Sequence, residues 1–216
     1  PRMPADIPSL LSNKTTLEKR IQDHFHELAG FFRGRLYNWD VLNEPVLNSM
    51  IRSTYTDQGS LMANWFKMAK EADPAAKLYV NETQILGVDA PVIQNFSNIL
   101  QSMKDNGAPI DGVGIQAHFG STPVSPMAFY NQLTHFTQYA PEIAITEFDV
   151  NSPKEDIQGK FTRDILLASF SHPNVKSFTM WGFWDGAHWQ NNAPLFHQNW
   201  TLKPSGEQWR NLIYGT

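Results

Sequence analysis

Ile143-Ala144-Ile145-Thr146-Glu147-Phe148-Asp149 is a short apolar run that ends in a carboxylate, and Tyr37-Asn38-Trp39-Asp40-Val41-Leu42-Asn43-Glu44-Pro45 repeats the design far upstream. Short apolar runs of roughly four to eight residues are what strands buried on both faces look like. Working outward, Leu17, Ile21, Phe25, Leu28, Phe31 and Phe32 form one helical stripe over Leu17 to Phe31 that ends near Gly34. A strand over Leu36 to Leu42 follows. The periodicity then predicts a helix from Ser60 to Ala72, stopped by Asp73-Pro74, and a strand from Lys77 to Asn81.

The alternation continues to the end of the chain, with helices over Ala90 to Asn106, Pro126 to Tyr139, Ile157 to Phe170 and Gly206 to Tyr214. Between them lie strands at Gly112 to Ala117, Ile143 to Thr146 and Val175 to Trp181. Apolar strands separated by amphipathic helices imply an α/β fold with a parallel sheet, because right-handed crossovers cover both faces of each strand. Polar residues collect just after the strands, at Asn43-Glu44, Asn81-Glu82, Gln116 to His118, Glu147 to Asp149 and Trp181 to Trp189. In an α/β barrel those ends open onto one face, where groups distant in sequence converge. An open nucleotide-binding sheet fits less well. Its glycine-rich first turn has one candidate, Asp111-Gly112-Val113-Gly114, which lacks the third glycine and precedes a strand.

Five strands are legible, whereas a closed barrel needs eight and typically about 250 residues. The first helix also has no strand before it. Either three β-α units lie upstream, outside this chain, or the architecture is not a full barrel. The domain expectation is therefore one catalytic domain over residues 1–216, incomplete on its amino-terminal side. The start at Pro1-Arg2, with no initiator Met and no signal peptide, suggests a trimmed terminus.

The 216 residues are 41% hydrophobic and 18% charged, enough for one core, and the net charge is -4 with a pI near 6.0. Without a basic block, neither nucleic acid nor an anionic membrane surface is an expected partner. No apolar run approaches the roughly 20 residues of a membrane span. The absence of cysteine excludes disulfides, thiolate metal sites and a cysteine nucleophile. His24 and His26 are two apart on a helix and cannot face one metal together. With no H-E-x-x-H and no G-x-S-x-G, neither a catalytic metal nor a serine elbow is expected, and no cofactor.

Two carboxyl groups delivered by strand ends, one protonated and one ionised, are the minimum equipment for cleaving a glycosidic bond. The leaving oxygen needs a proton and the anomeric carbon needs a nucleophile. Taken singly, each residue has a plainer reading: Glu44 before Pro45 could serve a helix start, and an isolated His118 is most simply a core histidine. Trp65, Trp200 and Trp209 sit on helices or connections and are expected in the core. Trp181, Trp184 and Trp189 crowd one loop after a strand, where packing is the poorer explanation.

Trp39 to Glu44, Gly112 to His118, Ile145 to Asp149 and Trp181 to Asp185 through His188-Trp189 resemble, in order, the strand-end motifs of glycoside hydrolase family 10, the xylanases. The resemblance implies a TIM (β/α)8 barrel of which this chain supplies about strands 4 to 8. It also implies retaining hydrolysis of β-1,4-xylan, with Glu44 as acid/base and Glu147 as nucleophile. By the same resemblance Asn43 bonds the sugar 2-hydroxyl, Asn81 and Gln116 support the site, and His118 with Asp149 holds and tunes Glu147. Trp181 and Trp189 would wall the sugar. The partners implied are xylan or xylo-oligosaccharide and the missing amino-terminal barrel segment, and the expected location is secreted, extracellular or periplasmic. A retaining pair should stand about 5 to 5.5 Å apart.

Two departures bear on substrate. Where the family usually shows Asn-Asp-Tyr-Asn, this chain reads Asn81-Glu82-Thr83-Gln84. The family's amino-terminal lysine, histidine and tryptophan, which grip the glycone sugars, have no counterpart here. Three readings follow: an endo-β-1,4-xylanase, a retaining hydrolase of another β-glycan, or a polysaccharide-binding barrel that does not turn over.

Overall fold

Strand follows helix through the computed structural model, which describes residues 3–86 and 90–215. The elements are α1 (Ile7–Leu10), α2 (Lys14–Phe31), β1 (Asn38–Asn43), α3 (Gln58–Ala72), β2 (Lys77–Glu82), α4 (Ala90–Asp105), β3 (Gly112–Ile115), β4 (His118–Phe119), α5 (Pro126–Phe136), β5 (Glu142–Val150), α6 (Glu155–Ser171), β6 (Val175–Met180) and α7 (Pro204–Tyr214). Short polar side chains set several helix starts. Asn13 accepts from Thr16 N at 3.2 Å, Asp57 from Ser60 N at 2.9 Å and Ser125 from Ala128 N at 3.4 Å, each satisfying a donor the first turn leaves orphaned.

The chain divides into two compact units, Pro1–Glu82 with Gln94–Val113, and Thr83–Ile93 with Gly114–Thr216. In the first, β1 and β2 pair in parallel, Asn38 opposite Lys77 and Asn43 opposite Asn81. Leu17, Met62, Phe66, Leu78, Val80, Leu100 and Met103 form its core. β2 is buried from Leu78 onward, while β1, with β2 on one side, stays half-exposed. Gly112 at the start of β3 lets the backbone close on the Tyr79 ring, where a Cβ has no room. Beside it, Asp111 accepts from Leu78 N at 3.0 Å and meets Lys70 at 3.4 Å.

In the second unit β5 is central, parallel to β4 through His118 opposite Asp149 and to β6 through Ile143 opposite Val175. Its core is aromatic: Phe119 meets the edge of Phe161 at 4.8 Å and Phe148 lies 5.0 Å from Phe178, separations at which ring edges and faces attract.

Several sequence expectations need amendment. α1 carries too short a pattern to read. The strand expected over Gly112 to Ala117 breaks at Ala117, whose φ of 62° is left-handed, and resumes as β4. β5 runs four residues past Thr146 because β4 and the Trp181 N to Phe148 O bond of 3.1 Å extend its ladder. Trp65 is buried and Trp209 packs on Phe178 at 5.6 Å, but Trp200 is 57% exposed and is no core residue. Its loop turns the indole outward. Among the described residues no helix is long and apolar enough to cross a membrane.

Candidate active site

In the first unit the parallel register alone brings two chosen residues together. Asn81 Nδ2 donates to Asn43 Oδ1 at 2.8 Å, and Asn81, 1% exposed, also accepts from Glu44 N at 2.8 Å through its carbonyl. Glu44 then takes a φ of 53°. A side chain in that region is strained, the more so before a proline, which normally holds its predecessor extended. Strain of this kind persists only where the surroundings over-determine it, and it clusters at functional sites. Here Asn48 braces the turn, donating from N to Glu44 O at 2.8 Å and from Nδ2 to Glu44 Oε2 at 3.1 Å. Glu82, fully buried, accepts from Val46 N at 2.8 Å. Asn81-Glu82 is thus the support of the Glu44 turn, which makes specific the supporting role expected of Asn81 and adds Glu82 to it.

In the second unit Glu147 and Asp149 are two apart on β5 and so share a face of the strand. Gln116, buried at the end of β3, accepts from Glu147 N at 3.1 Å through its carbonyl. The left-handed Ala117 then re-aims the chain, and His118 lands opposite Asp149. Its Nε2 is 3.4 Å from Glu147 Oε2 and its Nδ1 is 3.0 Å from Asp149 Oδ1. The Nδ1 contact is an ion pair rather than an aligned hydrogen bond. Burial pulls the His118 pKa down, but the Asp149 and Glu147 carboxylates outweigh it and hold the pKa at about 9. The ring is an imidazolium at neutral pH, a fixed positive charge between two carboxylates.

The loop after β6 closes around this charge. Trp189 Nε1 donates to Asp149 Oδ2 at 2.8 Å, and His188 Nε2 lies 3.8 Å from the same oxygen. The Gln190 backbone holds His188 Nδ1, with its O at 2.9 Å and its N at 3.0 Å, which turns the other nitrogen toward Asp149. Gly182, at φ 109°, leaves room for His188 that a Cβ would take. The Trp181 and Trp189 rings stand 6.2 and 5.0 Å from His118, both edge-on, and remain 49% and 58% exposed. Two indoles with open faces beside a carboxylate suit the apolar faces of sugar rings.

Sequence reasoning had named His188 and Glu82 only as members of motifs, without a role, and had not singled out Asn48 or Gln158. Gln158 is fully buried on α6, and its Nε2 donates to Val150 O at 3.0 Å, Asn192 O at 2.6 Å and Ala193 O at 3.0 Å. It ties the end of β5 to the tryptophan loop. A polar residue on the buried face of an amphipathic helix was the available signal. Among the described residues no three His, Asp or Glu side chains could hold a metal ion together.

The family model described as Glycosyl hydrolase family 10 matches residues 3–211. The chain is similar, at 31% identity over 97% of its length, to the anti-sigma-I factor RsgI6 of Acetivibrio thermocellus, of which it spans 27%. It is 29% identical, over 89% of its length, to endo-1,4-beta-xylanase B of Thermotoga neapolitana and spans 60% of that protein. Xylanase 10B from Thermotoga petrophila RKU-1, solved in complex with xylobiose, superposes with a TM-score of 0.77 at 28% identity, covering 90% of this chain and 64% of that one. The fold class is accordingly the TIM (β/α)8 barrel, with β3 and β4 as two parts of one barrel strand and this chain supplying about strands 4 to 8. With its family model matched over nearly the whole chain, this protein belongs to glycosyl hydrolase family 10.

Proposed function

We propose that the chain is the carboxy-terminal part of a retaining endo-β-1,4-xylanase, with Glu147 as nucleophile and Glu44 as acid/base. The observation that carries this reading is His118, an imidazolium 3.4 Å from Glu147 and 3.0 Å from Asp149. A nucleophilic carboxylate must be ionised when it attacks, and a neighbouring positive charge favours that state. Glu147 attacks the anomeric carbon while Glu44 protonates the departing oxygen. Water activated by Glu44 then releases the sugar from Glu147. Asn43, held by Asn81, bonds the 2-hydroxyl, and Trp181 and Trp189 wall the ring. The domain is completed by an amino-terminal segment outside this chain. Xylan is too large to enter a cell, so the enzyme is placed outside the cytoplasm, extracellular or periplasmic.

A second reading takes the chain as a family member that holds polysaccharide through its exposed tryptophans without turnover; one similar protein is named an anti-sigma factor rather than a xylanase. Incubating the full-length protein with an activated 2-fluoro xylobioside separates the two. A single covalent adduct mapped to Glu147 supports the hydrolase. An intact protein of unchanged mass that still binds xylo-oligosaccharide supports the binder.

A further inference from the structure

Trp200 is 57% exposed and Phe183 55% exposed, and Trp200 holds a φ of 66°, where a bulky side chain strains the backbone. A strained residue that also leaves a large ring in water lowers stability twice. Packing against Trp184, Phe183 and Phe196 covers only part of the ring. Yet the ring is held in one orientation: it stacks on Trp184 with centroids 4.9 Å apart and planes 9° from parallel, and Phe183 lies 6.3 Å away. Trp184 is fixed in turn, its Nε1 donating to Gln198 O at 3.2 Å and its ring resting on Gly186, where no Cβ fits.

The residues on either side of Trp200 border an open cavity of about 700 Å³, lined by Asp185, Asn191, His197, Gln198, Asn199 and Thr201. Its one carboxylate, Asp185, pairs with the buried Lys203 Nζ at 2.7 Å, and the lining His197 lies 3.8 Å from Asp185 and 3.5 Å from the neighbouring Glu155. The lining is therefore rich in hydrogen-bonding groups, and its own carboxylate is ion-paired. An exposed flat indole beside neutral amides complements an uncharged pyranose, with its apolar ring face and its rim of hydroxyls. Charged polymers, nucleic acid and anionic membrane find no opposite charge here.

We propose that Trp200, backed by Trp184, is the platform of a second carbohydrate site, which holds one ring of a neutral β-linked polysaccharide while the cavity amides bond its hydroxyls. A second foothold converts part of polymer binding into an intramolecular event and raises retention on long chains. That the polymer is xylan rests on the function proposed above.

The test measures retention on insoluble xylan of the full-length protein carrying Glu147→Gln, which stops turnover, alone and combined with Trp200→Ala, Trp200→Tyr or Trp200→Gly. Trp200→Ala should bind about tenfold more weakly, as truncating an aromatic anchor does, and Trp200→Tyr should recover most of the loss. Trp200→Gly relieves the left-handed backbone, so it should unfold at or above the parent temperature while still losing retention. Unchanged retention in Trp200→Ala overturns the proposal. So does a Trp200→Gly variant that unfolds well below the parent, since the stack would then be structural. If the 2-fluoro adduct on Glu147 fails but retention depends on Trp200, the hydrolase reading falls and the platform stands. The reverse pattern removes only the platform.

Discussion

Trp189 Nε1 donates to Asp149 Oδ2 at 2.8 Å across forty residues of sequence, and through Asp149 it sets the charge contact that His118 makes 3.0 Å away. One indole thus does two things. Its exposed face is available to a sugar, and its edge keeps a carboxylate that is 1% exposed from lacking an aligned donor.

Trp189→Phe keeps the apolar face and removes the donor. A buried acceptor left unsatisfied costs about 1–3 kcal/mol, which lowers the melting temperature by about 2–4 °C per kcal/mol in a chain of this size. Trp181→Phe should change it little. Calorimetry that finds the two variants equally destabilised would contradict the assignment.

His118 gives stability a pH dependence of known sign. Its folded pKa of about 9 stands above the unfolded histidine value of about 6.5. The folded chain therefore binds the extra proton, and stability from this group is complete below about 6.5, declines as pH rises and is gone above about 9. Melting temperatures taken from pH 6 to 9.5 should fall more steeply in the parent than in His118→Gln. Parallel curves would show that the imidazolium contributes nothing.

The two glutamates have separable roles under the proposed mechanism. In the full-length enzyme Glu147→Ala should abolish turnover on every substrate. Glu44→Ala should spare aryl xylobiosides with strongly acidic phenols, because such leaving groups need no proton. Equal loss on an activated aryl substrate would mean the roles are misassigned.

Gln158→Leu keeps the volume of a buried side chain and deletes the donor to three carbonyls, those of Val150, Asn192 and Ala193. The expected cost is about 1–3 kcal/mol. Amide exchange should rise selectively over the loop from Trp181 to Ala193. Exchange rates that stay at parent values there would rule out a tethering role.

Gly112→Ala forces a methyl into the Tyr79 ring. Overpacking of this kind costs about 1–3 kcal/mol, and Tyr79→Leu in the same chain should restore part of it. If urea denaturation finds the single variant as stable as the parent, the close approach is looser than drawn.

The β-α alternation, the helix stripes and the Glu44 carboxylate just past a strand were legible in the sequence, because each is written in local periodicity or in polar residues that follow an apolar run, whereas Glu147, expected at a strand end, lies inside β5. Side chains two apart on a strand share a face wherever the strand goes, so Glu147 and Asp149 could be paired on paper. The family resemblance named His118 as the group that answers them, but not how the chain delivers it there. The parallel register that sets Asn43 against Asn81, the left-handed Ala117 that swings His118 between two carboxylates, and the loop that turns Trp200 outward instead of into the core depend on pairings made far along the chain. Local pattern chooses the face a residue presents; only the folded chain, by bringing distant backbones into register, decides what that face meets.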